Sequence, residues 1–177
     1  RPSVSRKYRS IIDVRSIRDI TRGMTIGRRQ IGMFGEAEYP QYYLTARESR
    51  HISGRTRLTF LDGMSERRFD DAVAVHFSNF DIKGLASSDL VMIGFMDHEK
   101  YRCYETYVPY ATMVPDKLTN VLVTGKAYSA SHDVVGLARQ VADVMCQGAA
   151  AGYAAAIAAG NGRRVDQLDV RTLQATL

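Results

Sequence analysis

Apolar residues near the start of the chain recur every three or four positions, which is the spacing of one helical face. They are Ile11, Val14, Ile17, Ile20 and Met24, and their period predicts a helix. Arginines lie on the other sides, so the pattern fits a core-facing helix with a basic outer face or a dedicated binding helix. Glycines between residues 23 and 35 then weaken the helical pattern.

Runs of alternating or aromatic residues predict strands in the middle of the chain. Between them, Asp62 is placed to cap a helical turn or short helix from Gly63 to about Val75. The predicted strands are residues 42–45, 57–60, 77–82 and 101–110.

The clearest hydrophobic pattern lies between Asn120 and Ala159. The β-branched run within residues 120–124 predicts a short buried strand, as in the centre of a parallel sheet. Gly125 allows a sharp turn after it. A helix rich in alanine and glycine is expected from about residue 136 or 139 to residue 159, and a short helix is expected near the C-terminus.

This strand, loop and helix together predict a ligand site, because backbone N–H groups at a helix N-terminus attract anionic or electron-rich groups. The loop between them offers hydroxyls and an imidazole. Within the helix, Gly148, Gly152 and Ala156 recur every four residues, which allows close packing against a sheet or another helix. The same residues fit a helix that only packs tightly, so both interpretations stay open.

Composition and charge narrow the possible functions. The chain has 177 residues, of which 45% are hydrophobic and 24% charged, and this suggests one soluble domain. Its net charge of +5 fits an anionic ligand, a nucleic acid, an acidic protein surface or simply a solvated basic face. No recognised nucleic-acid-binding motif is present. The two cysteines and four histidines lack metal-ligand spacing, so no metal is expected.

Neither a signal peptide nor a membrane span is predicted. No apolar h-region follows Arg1-Pro2. The weakly hydrophobic stretch 141–159 carries Asp143 and Gln147 and is mostly alanine, which is too polar for a span. We therefore expect a cytoplasmic protein.

A charged segment over residues 47–54 offers candidate substrate ligands. Arg47 and Arg50 lie three residues apart, so they have the spacing to clamp a carboxylate, and His51 follows directly. A salt-bridge network that joins subdomains or chains is the alternative interpretation of these residues.

Several segments, taken in order, resemble one family. They are residues 47–54, 58–59, 68–74, 80–82, 107–110, 114–115, 120–132, 139 and 148–152. In this order they resemble the FAD-dependent oxidoreductase family, a group of flavoproteins distantly similar to fumarate reductase and glutathione reductase. No G-x-G-x-x-G dinucleotide fingerprint occurs in the chain, so the chain resembles the C-terminal portion of these proteins.

The resemblance implies an α/β class of fold and a two-domain flavoprotein. Residues 1–110 would form a substrate-side or interaction region, and residues 111–177 would complete an FAD-binding, Rossmann-like domain with its last strand and helix. The implied cofactor is FAD and the implied substrate is a small molecule. The implied partner is an N-terminal half that carries the fingerprint, either as a separate chain or as a cleavage product, in a hetero-oligomer.

The resemblance also assigns site residues. N–H groups near the start of the long helix would face the N1/O2 edge of the flavin, where reduction concentrates negative charge, and the helix dipole would raise its redox potential. Arg50 and His132 are the implied catalytic residues, and Arg47, Arg50 and His51 the substrate-binding ones. The implied cofactor-binding residues are Gly125, Lys126, Ser129, Ala130, Ser131, His132, Arg139, Gln140 and Val141.

Two positions depart from the family pattern. Relatives usually carry arginine where this chain has Lys126, and lysine keeps the charge without the fork geometry. Relatives also tend to carry histidine where this chain has Lys83. A non-catalytic scaffold subunit that retains the flavoprotein fold is therefore the alternative function.

Overall fold

The computed structural model of this chain describes residues 16–18, 20–22, 25, 50–81 and 102–177. Two compact units divide the chain: Arg1–Arg50 with Ile82–Ala86, and His51–Asp81 with Ser87–Leu177. The predictions for residues 42–45, Arg47 and Lys83 lie outside the described residues.

In the first unit, the described residues between Ile17 and Thr25 are helical. The Ile20 N–H donates to the Ser16 carbonyl at 3.0 Å, and the Thr21 hydroxyl donates to the Ile17 carbonyl at 2.7 Å. The predicted N-terminal helix is confirmed at these positions. The side chain of Ile17 is 76% exposed, so this residue does not lie in a core.

The second unit combines helices with a two-stranded antiparallel sheet over its described residues. This mixture of helix and strand confirms the predicted α/β class. Three 3-10 turns lie at Tyr110–Thr112, Gly125–Ala127 and Val165–Gln167. In chain order the other elements are α1 (Phe60–Met64), β1 (Ala72–Asn79), β2 (Cys103–Pro109), α2 (His132–Val135), α3 (Val141–Gly160) and α4 (Val170–Gln174).

The prediction of a helix from Gly63 to Val75 is wrong beyond its first turn. Helix α1 ends at Met64, and its N-cap is Thr59, whose hydroxyl accepts from the Asp62 N–H while the Asp62 carboxylate accepts from the Thr59 N–H. Residues 72–75 belong to β1 instead. Pairing with β2, which lies far along the sequence, decides this segment because strand formation depends on cross-strand neighbours.

Strands β1 and β2 form a ribbon with one buried face. Ala74, His76 and Ser78 alternate as buried residues along β1, and α3 packs against this strand. Val75 and Phe77 lie between them and are 50% and 69% exposed. Strand β2 confirms the prediction for residues 101–110 where the chain is described.

The predicted strand over residues 120–124 is not a strand in the structure. The Val123 N–H donates to the Met113 carbonyl at 2.9 Å, which ties this stretch to a turn. Asn120 adopts a φ of 58°, and its N–H donates to Asp166 Oδ1 at 3.1 Å. Leu122 packs against the hydrophobic core, so the apolar run serves as packing without a strand partner.

Helix α3 confirms the predicted long helix but turns its polar residues inward. Asp143 and Gln147 are buried, whereas Val141, Met145 and Tyr153 are 74%, 67% and 50% exposed. By length and composition α3 is also the one helix among the described residues that matches a membrane span. Core helices of soluble proteins satisfy the same criteria, so this match decides nothing by itself.

The Gly148 and Gly152 face of α3 does not pack against its own unit, whereas Ala150 and Ala154 of the same helix are buried in its core. A methyl group added at Gly148 or Gly152 would meet no atom within 4 Å. The expectation that this stripe packs closely is therefore wrong within the second unit. Cys146 of the same helix is exposed as well.

Asp166 joins three distant parts of the second unit. Its carboxylate accepts from the Arg164 guanidinium at 3.0 and 3.1 Å, from Arg55 at 3.4 Å and from the Asn120 N–H at 3.1 Å. Nearby, the Tyr110 hydroxyl donates to the Val165 carbonyl at 2.8 Å. These bonds fasten the C-terminal tail to the segments around residues 55, 110 and 120.

Replacing Asp166 by asparagine is expected to lower the melting temperature at neutral pH. Hydrogen bonding from Arg164, and then from Asn120, lowers the pKa of Asp166 below its usual 3.8. The ionised carboxylate therefore stabilises the fold above about pH 3.8, and this contribution is lost as the pH falls through the lowered pKa. Melting curves between neutral pH and about pH 3 measure the effect. Asp116→Asn, at an exposed aspartate that accepts from Ser53, is the control; an equal loss in both variants contradicts the prediction.

Candidate functional site

The predicted cofactor loop begins at Gly125, whose backbone N–H is bound by a side chain of α3. Gly125 adopts a φ of 68°, a conformation that glycine permits without strain. Its N–H donates to Oε1 of Gln147 at 2.9 Å, and Gln147 is fully buried. Gln147 is a positioning residue that the sequence analysis missed; a polar residue four positions after Asp143 in a small-residue helix was the available signal.

The predicted substrate residue His51 lies against this loop. His51 Nδ1 is 2.8 Å from the carbonyl oxygen of Tyr128. A carbonyl only accepts, so Nδ1 carries the hydrogen, and the neutral ring has its lone pair on Nε2. The structure thus brings one predicted substrate residue and the predicted cofactor loop together, with a defined histidine tautomer.

Backbone hydrogen bonds extend this contact along the segment that follows His51. The Ile52 N–H donates to the Ala127 carbonyl at 2.9 Å. The Leu58 N–H donates to the Ser129 carbonyl at 3.1 Å, and the Ser131 N–H donates to the Leu58 carbonyl at 2.8 Å. Two segments that are far apart in sequence therefore form a single backbone platform.

The platform is tightest at Gly54. A methyl group at Gly54 would lie 2.7 Å from Ser129 Cβ and 3.1 Å from the Thr112 carbonyl oxygen. The next residue is also held in place, since the Arg55 N–H donates to the Val114 carbonyl at 3.0 Å. Only glycine allows this approach, so Gly54 sets the spacing between the His51 segment and the loop.

The side chains of the loop differ in what they present. Lys126 is exposed, whereas Ser129 and Ala130 are buried within the core. Ser131 Oγ is also buried and has no hydrogen-bond partner in the described part of the chain. The cofactor roles of all four residues remain predictions, with Ser131 the one that has unused hydrogen-bonding capacity.

His132 begins α2 directly after the loop. Its side chain is 11% exposed, and Nε2 lies 3.9 Å from Oδ1 of the buried Asp133. The catalytic role predicted for His132 stays a prediction.

Arg139 ties the end of β1 to the entrance of α3. Its guanidinium donates to the Asp81 carbonyl at 2.6 and 3.1 Å and to Asp81 Oδ2 at 2.9 Å. The Asp81 N–H in turn donates to the Gly136 carbonyl at 3.0 Å. The arginine side chain is 8% exposed, so its charge is largely matched by Asp81.

The N-terminus of α3 carries a buried carboxylate that the sequence analysis did not anticipate. Gln140 is the N-cap, and its N–H donates to Asp143 Oδ2 at 2.9 Å in a capping box. The same oxygen accepts from the Ser78 hydroxyl of β1 at 2.8 Å. Val141, the first helical residue, is 74% exposed. The helix therefore presents an open first turn above a buried carboxyl group that Gln140 and Ser78 hold in place.

His76 lies next to this carboxylate on the buried face of β1 and makes stability pH-dependent. Burial lowers the pKa of His76 below 6.5, although the charge of Asp143 opposes the shift. The folded state therefore holds the neutral ring, and stability is lost as the pH falls below about 6.5, where the unfolded chain binds the proton.

Denaturation midpoints between pH 8 and 5 are expected to show this loss, by up to ~1.4 kcal/mol for each unit of pKa shift. In His76→Phe the pH-dependence over this range is expected to flatten. An unchanged pH profile in this variant would assign the effect to other groups.

Arg50 is exposed and belongs to the first unit, and its predicted catalytic and substrate roles are not tested. The described residues contain no group of three or more potential metal ligands. A cavity of about 420 Å³ lies beyond the C-terminal end of α3, lined by Asn161, Arg163, Leu168, Asp169 and Thr172. None of the predicted site residues lines it.

Comparison with known families gives one match. The sequence model described as FAD dependent oxidoreductase matches residues 10–177 of this chain. No curated protein and no solved structure gives a significant match.

Proposed function

Because the chain belongs to the FAD-dependent oxidoreductase family, we propose that it supplies the flavin-edge side of an FAD site. The cofactor of this family is FAD, which carries out electron transfer when bound. In this proposal the ADP-binding fingerprint, absent from the sequence, comes from an N-terminal half of the flavoprotein. The finer placement near fumarate reductase and glutathione reductase belongs to the same proposal.

The loop 125–132 and the start of α3 fit a flavin cofactor. Gly125 allows a close backbone approach, and the buried Ser131 hydroxyl has an unused donor and acceptor. Lys126 is exposed beside them, and a lysine at this position adds positive charge on the side where a phosphate would bind. The first turn of α3, at Gln140 and Val141, would hold the electron-rich edge of the ring. This combination is the main observation in favour of the proposal.

His51 would act on the substrate side of the same platform. Its Nδ1–H is used by the Tyr128 carbonyl, so its Nε2 is the atom able to accept a hydrogen bond or a proton. Ile52 and Ala127 hold the segment in place through their backbones. The chain would thereby orient a small molecule next to the flavin while the family cofactor supplies the redox chemistry.

The exposed face of α3 is an argument for a partner chain that stays bound. Its residues Met145, Gly148, Gly152 and Tyr153 are uncharged and exposed, while the polar residues of the helix point inward. Apolar faces of this kind mark interaction sites. We propose that the N-terminal half packs a helix or sheet closely over the two glycines, in a cytoplasmic hetero-oligomer.

A non-catalytic scaffold is the second candidate. Lys126 replaces the arginine usual in relatives, and Arg139 is engaged by Asp81. The two functions differ in one measurement. An enzyme reduces its bound FAD when a substrate is added, whereas a scaffold binds FAD that only a chemical reductant such as dithionite reduces.

Replacing Lys126 by alanine in the assembled flavoprotein is expected to weaken FAD binding about tenfold or more, since a hydrogen bond to a charged group contributes ~1.5–3 kcal/mol. Calorimetric titration of the apo-assembly with FAD measures the affinity. Lys117→Ala removes the same charge from another exposed position and should leave the affinity nearly unchanged. Equal losses in the two variants would show a general charge effect and count against a site at this loop.

A further inference from the structure

A buried polar seam lies between β1 and α3, and the proposed function leaves it unused. His76 is 1% exposed and faces Thr106 across the ribbon, where Thr106 is fully buried. Neither ring nitrogen of His76 nor the Thr106 hydroxyl has a hydrogen-bond partner within the described residues. Buried polar groups are normally paired, so these atoms call for a functional explanation.

The buried polar residues of this seam extend from His76 to the N-terminus of α3. Ser78 lies two residues after His76 on β1 and faces the same way, and its hydroxyl donates to the Asp143 carboxylate at 2.8 Å. Asp143 also holds the N–H of Gln140, the N-cap of α3, at 2.9 Å. Ser78 and Asp143 are buried, so charge at the start of α3 acts on His76 in part through the low-dielectric interior.

The ionisable group facing His76 is Asp143. From β2 the seam receives Thr106, which does not titrate, and among the described residues Asp143 of α3 is the group whose charge acts on the imidazole. Burial favours the neutral ring, and the carboxylate favours the protonated one. Burial has the larger effect and holds the ring neutral, and a second negative charge near the start of α3 would favour its protonation.

We propose that His76 takes up a proton when the flavin at the start of α3 is reduced, and so compensates the negative charge left there. This inference rests on the proposed function. A hydride donor, the substrate, delivers two electrons and one proton to the flavin, which leaves one negative charge at its N1/O2 edge. His76 gains one proton from solvent, so the net charge of the site does not change.

Two measurements on the FAD-loaded assembly test this proposal. The first follows the His76 imidazole by NMR at neutral pH, before and after reduction by dithionite. The ring is expected to be neutral with oxidised FAD and protonated with reduced FAD. A ring that stays neutral in both states overturns the proposal, and this measurement needs no variant.

The second measurement counts the protons that the assembly takes up from a weakly buffered solution when its FAD is reduced by two electrons. His76→Gln, which cannot bind the proton, is expected to take up about one proton fewer for each pair of electrons than the native assembly. Thr106→Val, which changes the seam without removing a titrating group, should keep the native count. Equal counts in His76→Gln and the native assembly overturn the proposal alone. An assembly that binds no FAD overturns the proposed function together with this inference.

Discussion

Gly54→Ala is expected to destabilise the fold by about 1–3 kcal/mol, the usual cost of forcing an extra methyl group into a packed interior. The added Cβ would lie 2.7 Å from Ser129 Cβ and 3.1 Å from the Thr112 carbonyl oxygen. Neither atom belongs to a flexible side-chain end, so the strain falls on the platform that joins the His51 segment to the cofactor loop.

Denaturant unfolding monitored by circular dichroism measures this loss. Gly148→Ala is the matched control, because its new methyl group meets no atom within 4 Å. In a helix, alanine is favoured over glycine by ~0.5–1 kcal/mol, so the control is expected to be as stable as the native chain or more stable. Equal destabilisation of both variants would contradict the close approach at Gly54.

Gly152→Leu is expected to abolish or weaken partner binding by roughly five- to 150-fold while the second unit stays folded. Gly152 is exposed on α3, and a Cβ added there meets no atom within 4 Å. The effect therefore depends on a partner backbone that approaches this glycine closely. Surface plasmon resonance between the chain and the fingerprint-bearing half measures the change in affinity.

A leucine at another exposed position, in Ala175→Leu beyond the end of α4, is the control and should bind the partner normally. Two results would contradict the proposed partner. One is self-association of the native chain that Gly152→Leu removes, since the face would then belong to a second copy. The other is native binding to phosphatidylcholine vesicles that the same variant removes, since the face would then belong to a membrane.

Long periodic patterns and the family resemblance carried most of the correct predictions. Helix α3 was predicted from its long run of alanine and glycine, and β2 from its aromatic extended run. The first half of β1 was predicted as helix, because residues 72–75 become a strand only by pairing with β2. The apolar run of residues 120–124 was predicted as a strand because its residues favour one. In the described residues it has no strand partner, and the local sequence cannot show this.

The supporting residues of the candidate site could not be predicted, because their contacts are long-range. The Ser78 hydroxyl and the Asp143 carboxylate meet across 65 positions of the chain, and His51 reaches Tyr128 across 77. The sequence marks Gln147 only as a polar residue in a small-residue helix, and its bond to Gly125 spans 22 positions of the chain. The exposure of the small-residue face of α3 could not be predicted, because periodicity identifies a face without showing what covers it.

The central claim is that this chain and a fingerprint-bearing half build one FAD site together, and reconstitution tests it most directly. The two parts are purified separately, mixed with FAD, passed through gel filtration and measured by absorbance near 450 nm, roughly the flavin band. The account predicts a yellow complex with about one FAD for each pair of chains and little flavin on this chain alone. A monodisperse, colourless monomer of this chain that neither binds the other half nor adds to its flavin content would contradict it.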